Sequence, residues 1–287
     1  MNITHRQFRI LSDFPSVYQF MLEIYERDWR NGVPAPFLEY ALSSDWMDKS
    51  LVHRNRLWFD GGRIVAFVFY ENPVTDVYFS LRPGYECLAD EMIGYALTGM
   101  PRPDGWNKLV IFGAQTALQE AAAGAGLHRT WSAWDNQYDF DTPLDYPLPE
   151  GFRFADAPLD IAKCCECCWK GFGHEAEEGP WDGDTEYTGA MMTAPHATLH
   201  LNVAIENETG EYVCYAGMWW TPENKLAYME PLCTVPAYQR RGLAAAALSE
   251  MYRRTKALGA THMTGGKNPF YTRIGYHPAV EWTHWEK

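Results

Sequence analysis

The fold of this chain is indicated by one stretch, Tyr228–Ala244, which reads YMEPLCTVPAYQRRGLA. Its first part is mostly apolar without strict alternation of polar and apolar residues, as expected of a largely buried strand. That strand should stop at Pro236, because a proline has no backbone N–H to donate. The residues from Leu243 to Leu258 are mostly strong helix formers, and Gly259 is a suitable helix stop. The stretch is therefore predicted to be a strand, a tight turn and the start of a helix.

The turn has the chemistry of an anion-binding site. A helix N-terminus presents unpaired N–H groups and the positive end of the helix dipole, and both favour a bound phosphate. Gly242 lets a ligand approach the backbone closely, and Arg240 and Arg241 can share their charge with phosphate oxygens. A helix start with two solvated arginines would carry the same residues. The local pattern alone leaves both interpretations open.

The composition favours a soluble protein of two domains. The chain has 287 residues, 47% of them hydrophobic, and a net charge of −13, which is enough for two hydrophobic cores. Both halves are acidic, so we expect no basic face for nucleic acid. No apolar stretch is long enough for a membrane span, and the N-terminus has no signal-peptide core. We therefore expect a cytoplasmic protein, as a monomer or a homodimer.

Four of the seven cysteines crowd into the run Cys164-Cys165-Glu166-Cys167-Cys168. An odd number of cysteines with this clustering is not a disulfide framework. Zinc needs four converging ligands, usually from two separated pairs, and no second pair has suitable spacing. We therefore expect no metal site. On a helix, Cys164 and Cys168 would share one face and the other two would point away.

The predicted elements run in the same order on either side of a Pro-rich linker at residues 141–151. The first strand is expected at residues 8–11, helices at 13–26 and 34–50, and the last strand at 276–285. Two halves with one element order indicate a tandem duplication, with domains at residues 1–140 and 152–287. The mixture of strands and helices predicts the α/β class, an α+β arrangement with a mixed sheet in each half.

The second half, residues 151–287, resembles the GNAT acetyltransferase superfamily. Thr234–Ala244 matches the acyl-CoA pattern of that family: Gln or Arg, two residues, Gly, one residue, then Gly or Ala. Asn268–Tyr276 resembles its second motif, in which a Tyr stands four residues before a Gly-aromatic pair. The first half resembles the family in its fold but not in these motifs. The resemblance therefore implies two tandem GNAT-like acyl-CoA N-acyltransferase folds.

The resemblance also implies roles for particular residues. The strand before the turn pairs its backbone with pantetheine amides in this family, here at Leu232, Cys233 and Thr234. The pyrophosphate would lie on the N–H groups of the turn, and the Asn of the second motif would bond the pantetheine arm. Tyr271 takes the place of the acid that protonates the departing thiolate. The remaining implied cofactor-binding residues are Gln239, Arg240, Arg241, Gly242, Leu243, Ala244 and Asn268.

Glu230 is a candidate general base. Strand alternation is expected to place it on the same side as Leu232 and Thr234. A carboxylate there could take a proton from an amine nucleophile, directly or through water. The alternative is a structural carboxylate that bonds within the strand.

The equivalent loop of the first half, Leu81–Ala89, has no glycine at the helix start. It carries Glu86, and Asp90 and Glu91 follow it. Negative side chains at a helix N-terminus would repel a pyrophosphate. We therefore expect the first domain to be a degenerate GNAT-like domain without a CoA-binding loop.

The acceptor is suggested by the segment Gly173–Glu186, which holds six acids and no Lys or Arg. Aromatic residues accompany it, namely Trp169, Phe172, Trp181 and Tyr187. Acids and aromatic rings suit a small cationic amine, although a solvated surface loop would have the same composition. The expected function is acetyl-CoA-dependent N-acetyl transfer by direct attack in a ternary complex. A non-catalytic acyl-CoA-binding or scaffold protein is the alternative.

Overall fold

The computed structural model describes residues 1–287, apart from the side chain of Tyr187. The chain divides into two compact units. Unit 1 comprises Met1–Leu42, Trp46–Asp135 and Pro278–Lys287, and unit 2 comprises Ser43–Asp45 and Asn136–His277. No helix in the described part of the chain is both long and apolar enough to cross a bilayer.

Helices and strands are interspersed along the whole chain. In chain order they are β1 (Ile3–Gln7), α1 (Ile10–Ile24), α2 (Ala35–Ser43), β2 (Arg56–Asp60), β3 (Arg63–Tyr70), β4 (Asp76–Leu81), α3 (Ala89–Thr98), β5 (Lys108–Phe112), α4 (Thr116–Gly124), β6 (His128–Asp139), β7 (Arg153–Phe154), α5 (Ile161–Gly171), α6 (His174–Glu178), α7 (Glu186–Met192), β8 (Val203–Glu206), β9 (Tyr212–Thr221), β10 (Leu226–Thr234), α8 (Leu243–Ala257), β11 (His262–Thr264), α9 (Pro269–Arg273) and β12 (His277–Glu286).

Each unit is built on a mixed sheet. In unit 1 the strand order is β1-β2-β3-β4-β5-β12, and β4 and β5 are parallel. In unit 2 the order is β11-β10-β9-β8-β7, with the end of β6, residues 136–139, beside β11, and β10 and β11 are parallel. The other pairs for which a register is given are antiparallel. The predicted α/β class with a mixed sheet is confirmed.

The sheet of unit 2 is covered by helices whose residues match its two faces. Helix α8 buries leucine and alanine side chains in one cluster with Met218 and Met229. Helix α5 buries cysteine side chains in a second cluster with Tyr215 and Cys233. Small side chains on both helices let them lie close to the strands, and a Cβ added at Gly171 of α5 would lie 2.8 Å from the Cβ of Cys233.

The start of the chain differs from the sequence-based expectation. The strand expected at residues 8–11 is wrong, because β1 ends at Gln7 and α1 begins at Ile10. The polar run from Thr4 to Gln7 shows no apolar alternation, yet it pairs with β2 at the edge of the sheet. The Asp13 carboxylate accepts the Arg9 N–H at 2.7 Å and so starts the helix there.

The C-terminal strand also differs from the expected domain boundary. Residues 278–287 belong to unit 1, although the second domain was expected to run to residue 287. Strand β12 pairs antiparallel with β5, and Trp282 lies opposite Phe112. The Trp282 ring lies 5.1 Å from the Phe112 ring and 5.8 Å from the Trp29 ring. Aromatic packing of this kind accounts for the strand's place in unit 1.

A β-bulge interrupts the pairing of β9 with β10. Met229 lies opposite Met218, and Leu232 lies opposite Ala216, so two residues of β10 stand against Gly217 alone. A Cβ at Gly217 would lie 2.6 Å from the Glu230 carbonyl oxygen and 2.7 Å from Pro231 Cδ. The bulge therefore requires glycine on the partner strand.

Replacing Gly217 by alanine should lower the free energy of unfolding by about 1–3 kcal/mol, because the new methyl group meets backbone atoms that cannot move away. The matched control is Gly94→Ala, since Gly94 is an exposed residue of α3 with open space where the new methyl group would lie. That change should raise stability by up to about 1 kcal/mol. Urea denaturation measures both, and equal midpoints for the two variants would contradict this account of the bulge.

Candidate active site

Strands β10 and β11 separate soon after they meet. They pair at Leu226–His262 and Ala227–Met263, and no further pair joins them in the part of the chain that the structure describes. The Thr264 hydroxyl accepts the Met229 N–H at 2.7 Å, so a side chain takes the next hydrogen-bonding position. Beyond that point a gap opens between two parallel strands. Backbone groups of β10 on this edge are left to face the gap.

The antiparallel ladder with β9 decides which residues of β10 face the gap. The Val235 N–H donates to the Val213 carbonyl at 3.0 Å. Because bonding positions alternate along an antiparallel strand, Cys233 also turns its backbone to β9, whereas Leu232 and Thr234 turn theirs to the gap. The Thr234 carbonyl accepts the Gln239 side-chain amide at 3.1 Å. Of the three residues expected to pair with pantetheine, Cys233 is thus directed elsewhere.

The turn after β10 ends in an uncapped helix N-terminus. Arg240 has a φ of 63° and Gly242 a φ of 87°, so both lie in the left-handed region that tightens the turn. Helix α8 starts at Leu243 without a side-chain cap. The N–H of Ala246 makes a bond to the Gly242 carbonyl at 3.0 Å. The N–H groups of Leu243 and Ala244 precede it, and the described residues give them no acceptor.

The two arginines of the turn are exposed and carry no counter-charge. Within the described residues, neither Arg240 nor Arg241 forms an ion pair with a carboxylate. The Arg241 guanidinium lies 5.3 Å from the centre of the Tyr238 ring. The first turn of α8 contains no acid. Two unpaired guanidinium groups and a bare helix N-terminus together make a site for a multiply charged anion.

Tyr271 lies at the other side of the gap, where β11 ends. Its ring packs against the two glycines that follow β11, and a Cβ added at Gly265 would lie 2.8 Å from the ring. Tyr271 is 8% exposed. The pair Gly265-Gly266 is a sequence signal for this close approach, and the two motifs quoted above do not include it.

Asn268 acts as the N-cap of α9. Its side-chain oxygen accepts the Phe270 N–H at 2.9 Å, and the residue is exposed. A cap of this kind starts the short helix that carries Tyr271. The structure therefore gives Asn268 a local role, which differs from the expected contact with the pantetheine arm.

Glu230 lies in the bulge and is half-buried. Opposed residues share a face, so Met229 and Leu232 project to the same face as Met218 and Ala216. The extra residue thus shifts the alternation of side chains along β10 by one position. The expectation that Glu230 shares a face with Leu232 is therefore wrong. Glu230 instead lines a small cavity together with Pro231.

The comparison with known families bears on the same region. Residues 164–276 match the model of the acetyltransferase (GNAT) family. Residues 164–276 are a GNAT acetyltransferase domain. The matched segment contains the gap, the turn and Tyr271. Enzymes of this family are acyltransferases that use acetyl-CoA as cosubstrate, so the protein is an acyltransferase.

Solved structures with the same fold extend over the whole chain. A tandem GNAT protein from the clavulanic acid biosynthesis pathway is 14% identical, covers 100% of this chain and 98% of its own, and has a TM-score of 0.62. A GCN5-related N-acetyltransferase from Sphaerobacter thermophilus is 16% identical, with 99% and 95% covered and a TM-score of 0.58. A GNAT-family acetyltransferase from Colwellia psychrerythraea is 10% identical, with 99% of both chains covered and a TM-score of 0.62. No curated protein matches the sequence. At these identities the likeness is one of fold, and it supports the predicted tandem arrangement.

In unit 1, β4 and β5 also diverge, but a side chain of the same unit occupies the gap between them. Strands β4 and β5 pair at Asp76–Lys108 and Val77–Leu109. The Gln115 side chain then bridges the strands, because it accepts the Phe112 N–H and donates to the Phe79 carbonyl, both at 3.0 Å. Backbone groups that face the GNAT gap in unit 2 thus have internal partners in unit 1.

The neighbouring groups of unit 1 are also bonded internally. The Leu81 N–H donates to the Asn31 carbonyl at 2.8 Å. In the turn that follows, the Glu86 carboxylate accepts the Gly84 N–H at 2.9 Å. Helix α3 then carries Asp90 and Glu91 in its first turn. A carboxylate therefore stands where the GNAT turn of unit 2 is open to an anion.

The acidic segment of the GNAT domain is exposed. It forms α6 and the connection to α7, and all six of its acids are exposed. His174 pairs with Glu178 at 2.8 Å, and the Asp184 carboxylate accepts the Glu186 N–H at 2.7 Å at the start of α7. The Trp169 indole N–H donates to the Gly179 carbonyl at 2.9 Å and holds the segment against α5. The side chain of Tyr187 lies outside the described residues.

The cysteine run of α5 lies in the core. All four of its cysteines are buried, including the two that were expected to point away from the shared face. Cys165 reaches the Thr185 carbonyl at 3.6 Å, and Cys167 Sγ lies 3.9 Å from Cys233 Sγ. Helix α5 is covered on two sides, by α7 and by the sheet. Burial raises the pKa of Cys164, and it raises the pKa of Cys214 to about 12.

The buried thiols should therefore be unreactive in the folded protein. Cys87 is exposed and the other cysteines are buried, so a disulfide reagent such as Ellman's reagent at pH 8 should titrate one thiol rapidly. All seven should react after denaturation in urea, because seven cysteines are present. Cys87→Ser is the control and should remove the fast phase. Rapid reaction of several thiols in native protein would contradict the packing of α5.

Proposed function

We propose that the protein is an acetyl-CoA-dependent N-acetyltransferase that acts on the primary amine of a small cationic acceptor. The observation that carries this proposal is the gap between β10 and β11, with the uncapped start of α8 and two unpaired arginines at its end. Backbone groups in the gap suit an amide-bearing chain, and the helix start suits a pyrophosphate. Acyl-CoA has both parts in this order.

In the proposed complex, the pantetheine amides bond to the backbone of Leu232 and Thr234. The pyrophosphate lies on the N–H groups at the start of α8, and Arg240 and Arg241 neutralise its charge. The thioester then lies farther along the gap, toward Tyr271 and the bulge. Extended pairing with a strand edge gives affinity without a dedicated pocket for each atom.

The proposed chemistry is a direct attack in a ternary complex. The neutral amine nitrogen attacks the thioester carbonyl carbon, a C–N bond forms, and the C–S bond breaks as the intermediate collapses. Tyr271 donates its proton to the departing thiolate, and Glu230 accepts the proton that the amine loses. The base thus stands on β10 and the acid on α9, the short helix that follows β11.

The cationic character of the acceptor is supported by the acidic segment that leads into α7, because the last residues of α7 line the same cavity as Glu230. The segment Gly173–Glu186 has exposed acids and no basic residue other than His174. An acidic surface raises the local concentration of a cation. Glu230 would then hold the ammonium until it loses its proton.

Unit 1 is proposed to bind no acyl-CoA. A ligand entering its strand divergence would have to displace the Gln115 amide and the Glu86 carboxylate from their backbone partners. A pyrophosphate would also meet the acids in the first turn of α3. These contacts support a structural role for unit 1 and a single cofactor site in unit 2.

Replacing Tyr271 by phenylalanine should lower kcat by at least about 100-fold, the usual contribution of a general acid. The affinity for acetyl-CoA should change little, because the ring still packs on Gly265. Tyr276→Phe is the matched control, since the Tyr276 hydroxyl is buried without a hydrogen-bond partner in the described structure. CoA release with a panel of amines measures both variants. An unchanged rate for Tyr271→Phe would remove Tyr271 from the mechanism.

Calorimetric titration with acetyl-CoA should give a stoichiometry of one per chain. The double variant Arg240→Glu/Arg241→Glu should bind at least about 10-fold more weakly, because each charged hydrogen bond to phosphate contributes about 1.5–3 kcal/mol. Arg253→Gln is the control: it changes an exposed arginine farther along α8 that is paired with Glu250. A stoichiometry of two would show that unit 1 also binds acetyl-CoA and would overturn the single-site proposal.

A further inference from the structure

Unit 1 has a groove between α1, the turn of the β2–β3 hairpin and the residue that follows β4. The volume of the groove is about 360 Å³, which is within the range of small-molecule sites. Pro15, Ser16 and Phe20 of α1 and Ile64 of β3 contribute to its walls. All of its wall residues belong to unit 1, so the groove shares no residue with the acyl-CoA site proposed in unit 2.

The walls of the groove carry more positive than negative charge. Their charged residues are Glu23, Arg63 and Arg82, so two arginines stand against one glutamate. The Arg82 guanidinium, which bonds to Glu23, holds the pKa of that carboxyl below its usual value, so Glu23 is ionised at neutral pH. One positive charge of the walls is therefore not balanced within them, in a chain whose net charge is −13.

Arg82 is a buried arginine that keeps unused donors. It is 8% exposed. Its Nε donates to the Ile64 carbonyl at 3.2 Å, and its Nη2 donates to Glu23 Oε2 at 2.8 Å. A guanidinium has more N–H groups than these two bonds use, and no other residue in the described part of the chain accepts one from this side chain. The remaining donors are held in a fixed position at the wall, which favours bidentate bonding to an oxyanion.

Arg63 reaches the same carboxylate from the hairpin. Its Nη2 lies 3.4 Å from Glu23 Oε2, the oxygen that also accepts a hydrogen bond from Arg82. The Arg63 side chain is 62% exposed, so it can turn toward a ligand with little loss of packing. The two guanidinium groups thus converge on one point of the groove, where an anion can bond to both.

Apolar groups stand beside these charges. The Arg82 guanidinium lies over the Phe20 ring, 5.2 Å from its centre, and Phe20 is buried. Pro15 and Ile64 add aliphatic surface to the same groove. The groove therefore suits a ligand that has an apolar body next to its charged group.

We propose that this groove binds a small organic monocarboxylate with an apolar body. The carboxylate bonds to Arg82 and Arg63 beside Glu23, and the apolar body lies against Phe20, Pro15 and Ile64. A monoanion balances the excess charge of the walls. A phosphate monoester carries more than one negative charge at neutral pH and would be repelled by Glu23.

The ligand class is tested by calorimetric titration of the full chain with phenylacetate, acetate, 2-phenylethanol and inorganic phosphate. CoA is present at saturating concentration, so that it occupies the helix start of unit 2. Phenylacetate should bind at one site per chain. Its affinity should exceed that of acetate, which lacks the apolar body, and that of 2-phenylethanol, which lacks the charge, by at least about 10-fold. Absence of phenylacetate binding, or equally tight binding of phosphate, would overturn the proposal.

The place of binding is tested by Ser16→Glu, which adds a carboxylate to the wall of the groove. Charge repulsion should weaken the binding of phenylacetate at least about 10-fold. Leu11→Glu is the matched control, because it adds the same charge to the same helix at a position that is 97% exposed and lies outside the groove. That change should alter the affinity less than about 2-fold. Equal weakening by both variants would show that the ligand does not lie in the groove.

The role of the arginines is tested by Arg63→Gln, which removes a charge that the fold does not bury. Binding of phenylacetate should weaken at least about 5-fold. Arg9→Gln, which removes an exposed arginine of unit 1 outside the groove, is the control and should leave the affinity unchanged. If Arg63→Gln also leaves it unchanged, the monocarboxylate site is wrong. The N-acetyltransferase proposal is not affected by that outcome, because CoA release with amines tests it separately.

Discussion

The divergence of β10 from β11 is the constraint on which the site of the GNAT domain depends. A backbone N–H or C=O that leaves a sheet ladder needs another partner. Thr264 supplies one for Met229, and Pro231 needs none for its nitrogen because it has no N–H. The pairing with β9 leaves the backbone N–H and C=O groups of Leu232 and Thr234 directed to the gap. A ligand with amide groups can form hydrogen bonds with them. The turn and α8 follow directly, so the same divergence also directs the helix start to the end of the gap.

The two units solve the same structural problem differently. Both have a parallel strand pair that separates after two residue pairs. In unit 1, Gln115 and the carbonyl of Asn31 bond to the freed backbone groups, and Glu86 bonds to the turn. These partners belong to unit 1 itself, so its backbone is satisfied without a ligand. Duplication of a fold therefore does not imply duplication of its site, because the fold specifies the divergence but not what fills it.

The bulge in β10 changes the direction of the Glu230 side chain. One extra residue in β10 reverses the phase of the strand, so Glu230 projects away from the face of Leu232. Bulges near active sites commonly redirect a side chain in this way. Gly217 makes the bulge possible, since any other residue would place a Cβ against the Glu230 carbonyl. A carboxylate that would otherwise have faced α8 therefore lines the small cavity beside Pro231.

The sequence by itself determined the strand, the turn and the helix from Leu226 to Ala257, including the open helix start and its two arginines. Those features depend on residues within a few positions of one another: Pro236 ends the strand, and Gly242 allows the turn.

Only the tertiary structure decided the direction of Glu230, the filling of the gap in unit 1, and the place of β12. The direction of Glu230 depends on its register against Gly217, which no local pattern of β10 encodes. Gln115 and Asn31 reach the gap of unit 1 from separate parts of the chain, and Trp282 reaches Phe112 across 170 positions by the sequence numbering. Local propensities act over a turn or a strand, whereas register and packing depend on partners that are distant in the sequence, and these partners decide which groups a ligand can reach.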